Sequence, residues 1–203
     1  NRGDIQDRLP VAAEIKNGKR IVLVGAGCAS LAVVNDLMPL GYECVVYEAL
    51  DKAGGLMRTN IPSFRLPASV LDEEMNYIID MGVDVRLGTP VDSLQALLAE
   101  GYDAVFVGSG APKGRDLDIP GRQDSDHIHI GIQWLESVAF EHVDSIGENI
   151  LIIGVGNTAM DCCRTSLRLG AKNVKVMARK PRSFFKASDW ELEDAEEELG
   201  EIV

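Results

Sequence analysis

Two glycine clusters in this sequence have the residue types and spacing to hold a pyrophosphate. The first is Gly25-Ala26-Gly27-Cys28-Ala29-Ser30, after the apolar run Arg20–Val24 and before a stretch of helical periodicity. In such a turn the first glycine permits the tight reversal, the second lets the backbone approach the phosphates, and the helix amides face the anion. Ser30 fills the third position and is small enough to keep helix and strand close. The next apolar run ends in Glu48, where a carboxylate holds adenosine ribose hydroxyls. A glycine turn in an ordinary α/β unit is the plainer alternative, and the strand, helix and acid together weigh against it.

The second cluster, Gly154-Val155-Gly156-Asn157-Thr158-Ala159, lies between the run Asn149–Ile153 and another helical stretch. Its following strand ends not in an acid but in Arg179-Lys180-Pro181-Arg182. Exchanging a carboxylate for cations turns ribose recognition towards a 2′-phosphate, hence NADP over NAD, with NADH still possible. Every charged residue from Arg164 to Lys186 is basic, although the chain has a net charge of −12. A solubilising basic surface is the alternative. Two unlike turns suggest two nucleotides, FAD at the acidic type and NADPH at the basic type. Hydride transfer between their rings is cofactor chemistry, so no catalytic nucleophile or general base is assigned.

The elements that must position these turns follow from the apolar runs. Arg20–Val24, Glu43–Tyr47, Val83–Leu87, Asp103–Gly108, Asn149–Ile153 and Asn173–Met177 read as strands buried on both faces. Ala29–Leu40, Ala68–Met81, Ser93–Glu100, Ile132–Phe140 and Asn157–Leu169 read as helices, with Gly41 and Gly170 as C-terminal stops. Strand–helix alternation implies an α/β fold: two successive Rossmann-like, doubly wound units with mainly parallel sheets, the second truncated. Leu50–Pro67 and Gly110–Gln123 read as functional loops. The expected organisation is a linker over 1–18, the first part of an FAD-binding domain over 19–148, and the start of an NAD(P)H-binding domain over 149–203. Two strands and a helix cannot bury a core alone, so further polypeptide is expected to complete that second unit.

Beyond the turns, the motifs Glu48-Ala-Leu-Asp-Lys-Ala-Gly-Gly-Leu56, Ile61-Pro-Ser-Phe-Arg-Leu-Pro67 and Gly156-Asn-Thr-Ala-Met-Asp161 resemble the small (beta) subunit of NADPH-dependent glutamate synthase. They also resemble the flavin and NADPH domains of dihydropyrimidine dehydrogenase. The resemblance runs from about Lys19 onward and implies FAD contacts at Ala26, Gly27, Cys28, Ala29, Ser30 and Glu48. It adds Gly55, Leu56 and Arg65 from the Gly-Gly-Leu loop and its downstream arginine, and Val91 beyond the third strand. For NADPH it implies Val155, Gly156, Asn157 and Thr158 at the turn, with Arg179, Lys180 and Lys186 around the 2′-phosphate. Cys28 stands where the family has proline. Iron–sulfur clusters are implied only in other domains or partner subunits, since residues 1–18 contain no cysteine.

The remaining candidates are weaker. Cys162 and Cys163 are adjacent on a helix and point apart, which disfavours a metal site; His127 and His129 lack a third ligand. Cys28 suits packing better than reactivity. No Cys-x-x-Cys exists, which weighs against a dithiol reductase. Ser188-Asp-Trp-Glu191 reads as a capping box opening an exposed acidic helix. The acidic balance excludes nucleic acid as a natural partner, no apolar run spans a membrane, and four cysteines without paired spacing point to a reducing, cytoplasmic setting. The expectation is an electron-transfer subunit working with an iron–sulfur or catalytic partner. Its rivals are the input module of another complex (pyrimidine, 2-oxoacid, aromatic or ferredoxin-linked) and a scaffold that keeps FAD without NADPH chemistry.

Overall fold

A computed structural model describes residues 9–198 and 201–202. The chain divides into two units, one built from residues 1–58 and 66–111, the other from 59–65 and 112–203. The short apolar runs of the first unit form parallel strands β1 (Arg20–Val24), β2 (Glu43–Tyr47), β3 (Asp84–Arg86) and β4 (Ala104–Val107). Their order is β3-β2-β1-β4, with Val22 opposite both Val45 and Val105. Strand order therefore reverses at β1, and in such sheets ligands bind beyond the carboxyl ends of the strands at that reversal.

Alternation along β1 and β2 sends Ile21, Leu23, Cys44 and Val46 to one face, where α1 (Cys28–Leu37) and α3 (Ala68–Ile79) cover them with Leu31, Val34, Leu71 and Met75. Val22, Val45 and Tyr47 face the other side against Leu97 of α4 (Leu94–Ala99) and Tyr102. Two covered faces explain why β1 and β2 are apolar at every position after their first residue. The first helix ends at Leu37 and tightens into a 3₁₀ turn over Met38–Leu40, because Pro39 has no N–H to continue the α ladder; Gly41, at φ 85°, then reverses the chain. Residues expected only to link lie along this unit: Ala13 N–H donates to the Met38 carbonyl and Asn17 N–H to that of Gly41. Within the expected loop Leu50–Pro67, a short helix α2 (Leu56–Thr59) forms.

In the second unit β5 (Asn149–Ile153), β6 (Asn173–Met177) and β7 (Glu201–Ile202) are parallel in the order β5-β6-β7. One sheet face packs Ile150, Ile152, Val174 and Val176 against α6 (Asn157–Arg168) and α7 (Asp189–Glu197) through Met160, Cys163, Leu192 and Ala195. The other face differs from the expectation of burial on both sides: Leu151, Ile153 and Met177 are 58%, 50% and 39% exposed. Only one layer among the described residues covers this sheet. Helix α5 (Gly131–Ala139) belongs to this unit, ahead of the division expected near 149, because Trp134 and Leu135 bury against Cys162 and Ile152.

Candidate nucleotide-binding sites

At the carboxyl end of β1, Gly25 adopts φ 94° and its N–H donates to the Tyr47 carbonyl at 2.7 Å. A Cβ at Gly25 would stand 2.7 Å from the Gly108 carbonyl oxygen, so the approach of β1 to the end of β4 admits glycine alone. Gly27 caps α1, no side chain completes the cap, and no acid occupies the first turn. The positive end of the helix is thus left for an external anion. Gly55, at φ 52°, packs on this turn so closely that a Cβ would lie 2.9 Å from the Gly27 Cα, while Gly54 N–H donates to the Ala26 carbonyl.

Glu48 is buried beside the turn, receiving Ala26 N–H at 2.7 Å on one oxygen and Leu50 N–H at 2.9 Å on the other. A carboxylate offers about four lone-pair sites, so both oxygens keep acceptor capacity for hydroxyls while the backbone fixes their aim. Ser30 is fully buried and its Oγ has no hydrogen-bond partner among the described residues. Ala26, Gly27, Ser30, Glu48 and Gly55 therefore gather at one strand end, with Cys28 and Ala29 exposed in the first turn of α1 and Leu56 exposed at the start of α2. Val91 instead packs with Val22 and Tyr47 on the α4 side of the sheet. Gly108 went unnoticed in the sequence; its signal was a glycine closing the strand that pairs with β1.

The second turn repeats the geometry. Gly154 has φ 129° and donates to the Met177 carbonyl, and Gly156 caps α6 without a side-chain cap or first-turn acid. A Cβ at Gly154 or Gly156 would meet nothing within 4 Å, so the turn opens outward. The Val155 carbonyl accepts the N–H groups of Lys186 and Ala187, both at 3.0 Å, which ties the loop after β6 to the turn. The Asn157 side chain is engaged by Ser188, whose N–H donates to its Oδ1 at 3.0 Å; Thr158 is exposed.

The sequence pattern of the family described as pyridine nucleotide-disulphide oxidoreductase matches residues 19–201. The chain belongs to this family. Among relatives, the chain is 35% identical over 91% of its length to the NADP(+)-dependent formate dehydrogenase subunit beta of Moorella thermoacetica, covering 27% of that protein. It is 33% identical over 89% of its length to the glutamate synthase [NADPH] small chain of Bacillus subtilis, covering 38% of it. The chain thus spans well under half of these relatives. The structure of Mycobacterium tuberculosis FprA in complex with NADPH shares the fold with a TM-score of 0.75 at 20% identity, over 88% of this chain and 47% of that one. The family takes its name from disulfides, yet this member has no Cys-x-x-Cys, and its four cysteines are free thiols.

In this chain the basic stretch splits into two sets. Arg164 pairs with Glu191, Asp194 and Glu198, Arg168 with Glu198, Lys172 with Glu148, and Arg182 with Glu196. Arg179, Lys180 and Lys186 are exposed and make no ion pair among the described residues. The acidic helix α7 is accordingly not the free, solvated helix expected. Ser188 makes no side-chain cap, and Glu191 turns inward, fully buried, because Arg65 and Arg164 meet it there.

Arg65, for which the resemblance implied a flavin contact, has protein partners of its own. It lies in the second unit, donating to Asp161 Oδ1 and Oδ2 at 2.7 and 2.9 Å, contacting Glu191, and covering the Trp190 ring at 5.3 Å. Burial pushes the carboxyls of Asp161 and Glu191 above their ordinary values, and Arg65 opposes the rise. Neither acid was singled out from the sequence for an ionic role. No helix among the described residues is long and apolar enough to cross a membrane.

Proposed function

We propose that this chain is the nucleotide-binding segment of an FAD-dependent NAD(P)H oxidoreductase, with FAD at the first turn and NADPH at the second. The observation that carries this reading is the opposite charge at equivalent strand ends. After β2 stands a buried carboxylate, Glu48, already aimed by two backbone amides. After β6 stand Arg179, Lys180 and Lys186, without acid partners among the described residues, while the neighbouring Arg164, Arg168 and Arg182 are each paired with an acid. Ribose hydroxyls need acceptors, and a 2′-phosphate needs cations.

When bound, the two cofactors supply hydride exchange between nicotinamide and flavin. The chain's own groups do the holding. The uncapped N-termini of α1 and α6 bind pyrophosphates, and Ala26, Gly27, Cys28, Ala29, Ser30, Glu48, Gly55, Leu56 and Val91 form the flavin-nucleotide side. Val155, Gly156, Asn157 and Thr158 serve the other nucleotide. Arg65 also pairs with Asp161 and Glu191 within the second unit.

Electrons pass on to iron–sulfur clusters or a catalytic partner subunit, glutamate synthase-like in kind; the named relatives are themselves a subunit beta and a small chain. The formate dehydrogenase relative favours a second reading in which the same module serves a different acceptor. Free thiols suit a reducing, cytoplasmic compartment. The test is anaerobic addition of NADPH to the full-length protein: flavin absorbance bleaches. Bound flavin that stays oxidised under excess NADPH would overturn the reading.

A further inference from the structure

The loop after β6 carries an aromatic side chain that the second unit's core does not use. Phe184 and Phe185 are adjacent in the 3₁₀ turn region Arg182–Phe184, yet Phe185 packs into the core while Phe184 is 61% exposed. The loop is fixed at both sides of the ring. Behind it, Lys186 and Ala187 bond to Val155 in the glycine turn. Ahead of it, Arg182 is held by Glu196, with Nη2 to Oε2 at 3.0 Å. Lys180 sits with its Nζ 5.3 Å from the centre of the Phe184 ring, and neither it nor Arg179 has an acid partner among the described residues.

We propose that Phe184 is the platform on which the adenine ring of the nucleotide at the second turn stacks, with Lys180 held beside it for the 2′-phosphate. This rests on the reading that NADPH occupies that turn. The physical case has three parts. An exposed phenyl ring gains most from a flat, apolar, aromatic ligand surface, and a purine supplies one. The ring quadrupole attracts an ammonium group, so Lys180 is retained near the ring rather than dispersed in solvent. Four acids of this region are already engaged: Glu196 takes Arg182, and Glu191, Asp194 and Glu198 take Arg164. A phosphate beside Arg179 and Lys180 would therefore face unspent cations.

Calorimetric titration of the full-length protein with adenosine 2′,5′-bisphosphate and with adenosine 5′-monophosphate tests this. Both probes carry adenine and only the first carries the 2′-phosphate. Phe184→Ala should weaken both by about tenfold, and Phe184→Tyr should leave both within about threefold. The exposed position makes misfolding of either variant a minor concern, and circular dichroism checks it. Unchanged monophosphate binding in Phe184→Ala overturns the platform. If Arg179→Ala then still abolishes the preference for the bisphosphate, the NADPH reading survives without it. Failure of the unmodified protein to bind either probe removes both.

Discussion

Arg65 grips Asp161 with one nitrogen bridging both carboxylate oxygens, at 2.7 and 2.9 Å. The pair joins a loop residue to the middle of α6, across a long stretch of sequence, and its acid is almost wholly buried. The same guanidinium meets Glu191 of α7. Segment 59–65 is thereby part of the second unit although its neighbours in sequence belong to the first.

Removing that cation takes from the buried Asp161 its ion-pair partner and leaves the buried Glu191 with Arg164 alone. Arg65→Ala should destabilise the second unit by about 3 kcal/mol, and Arg65→Lys by less, since an ammonium keeps the charge but has no second nitrogen to meet Glu191 while the first holds Asp161. Urea unfolding followed by Trp190 and Trp134 fluorescence measures it. A double-mutant cycle with Asp161→Asn should show strong coupling.

The buried acids also set a pH dependence. Burial raises the folded-state values of Asp161 and Glu191 above their unfolded ones, so the native state binds more protons. Their contribution is fully present below the unfolded values and falls as pH rises, from roughly pH 4 upward. Glu198 is the reverse case: Arg168 and Arg164 hold it low, so its contribution is lost as pH falls. Glu191→Gln should therefore flatten the decline in stability towards neutral pH, whereas Glu198→Gln should cost stability at neutral pH and little in acid. Unfolding midpoints across the range decide both.

Gly55→Ala should lower flavin content. The added methyl would meet the Gly27 Cα at 2.9 Å while φ stays at 52°, which costs roughly 1–3 kcal/mol and pushes the loop off the turn. The ratio of flavin to protein absorbance after purification reads the loss.

Arg179→Ala with Lys180→Ala should reduce the preference for NADPH over NADH by about a hundredfold or more through the KM for NADPH, since each charged contact contributes about 1.5–3 kcal/mol. Steady-state reduction of a dye acceptor with both nucleotides measures the ratio. A scaffold without NADPH chemistry would show no change.

Thiol reactivity should separate the cysteines. Burial pushes Cys162 up to about 12 and Cys163 to about 11, and raises Cys44 as well. Cys28 is exposed. In native protein stripped of flavin, alkylation near pH 8 should label Cys28 and spare the other three, with all four labelled after denaturation. Peptide mass spectrometry identifies the sites.

Much of the fold was legible because local rules dominate it. Valine and isoleucine runs marked β1, β2, β5 and β6 at their observed bounds, and glycines marked the turns, each of which opens on a glycine with a positive φ, Gly25 and Gly154. The roles of charged residues were less legible. The run Ser188–Glu191 has the letters of a capping box, but a letter pattern does not say which way a glutamate turns, and the cations that draw Glu191 inward come from α6 and from Arg65. The units' makeup was hidden for the same reason: α5 joins the second because its apolar face finds Cys162 and Ile152.

What the sequence determined by itself, then, is what depends on neighbours along the chain: alternating strands and helices, two glycine turns, and an acid after one but cations after the other. Only the tertiary structure decided which of those charges are already neutralised. Arg164, Arg168 and Arg182 are taken by acids of α7 and its C-terminal cap, whereas Arg179, Lys180 and Lys186 have no acid partner among the described residues. Ion pairing acts over a few ångströms in space, and the partners of these residues lie on different elements that only folding brings together.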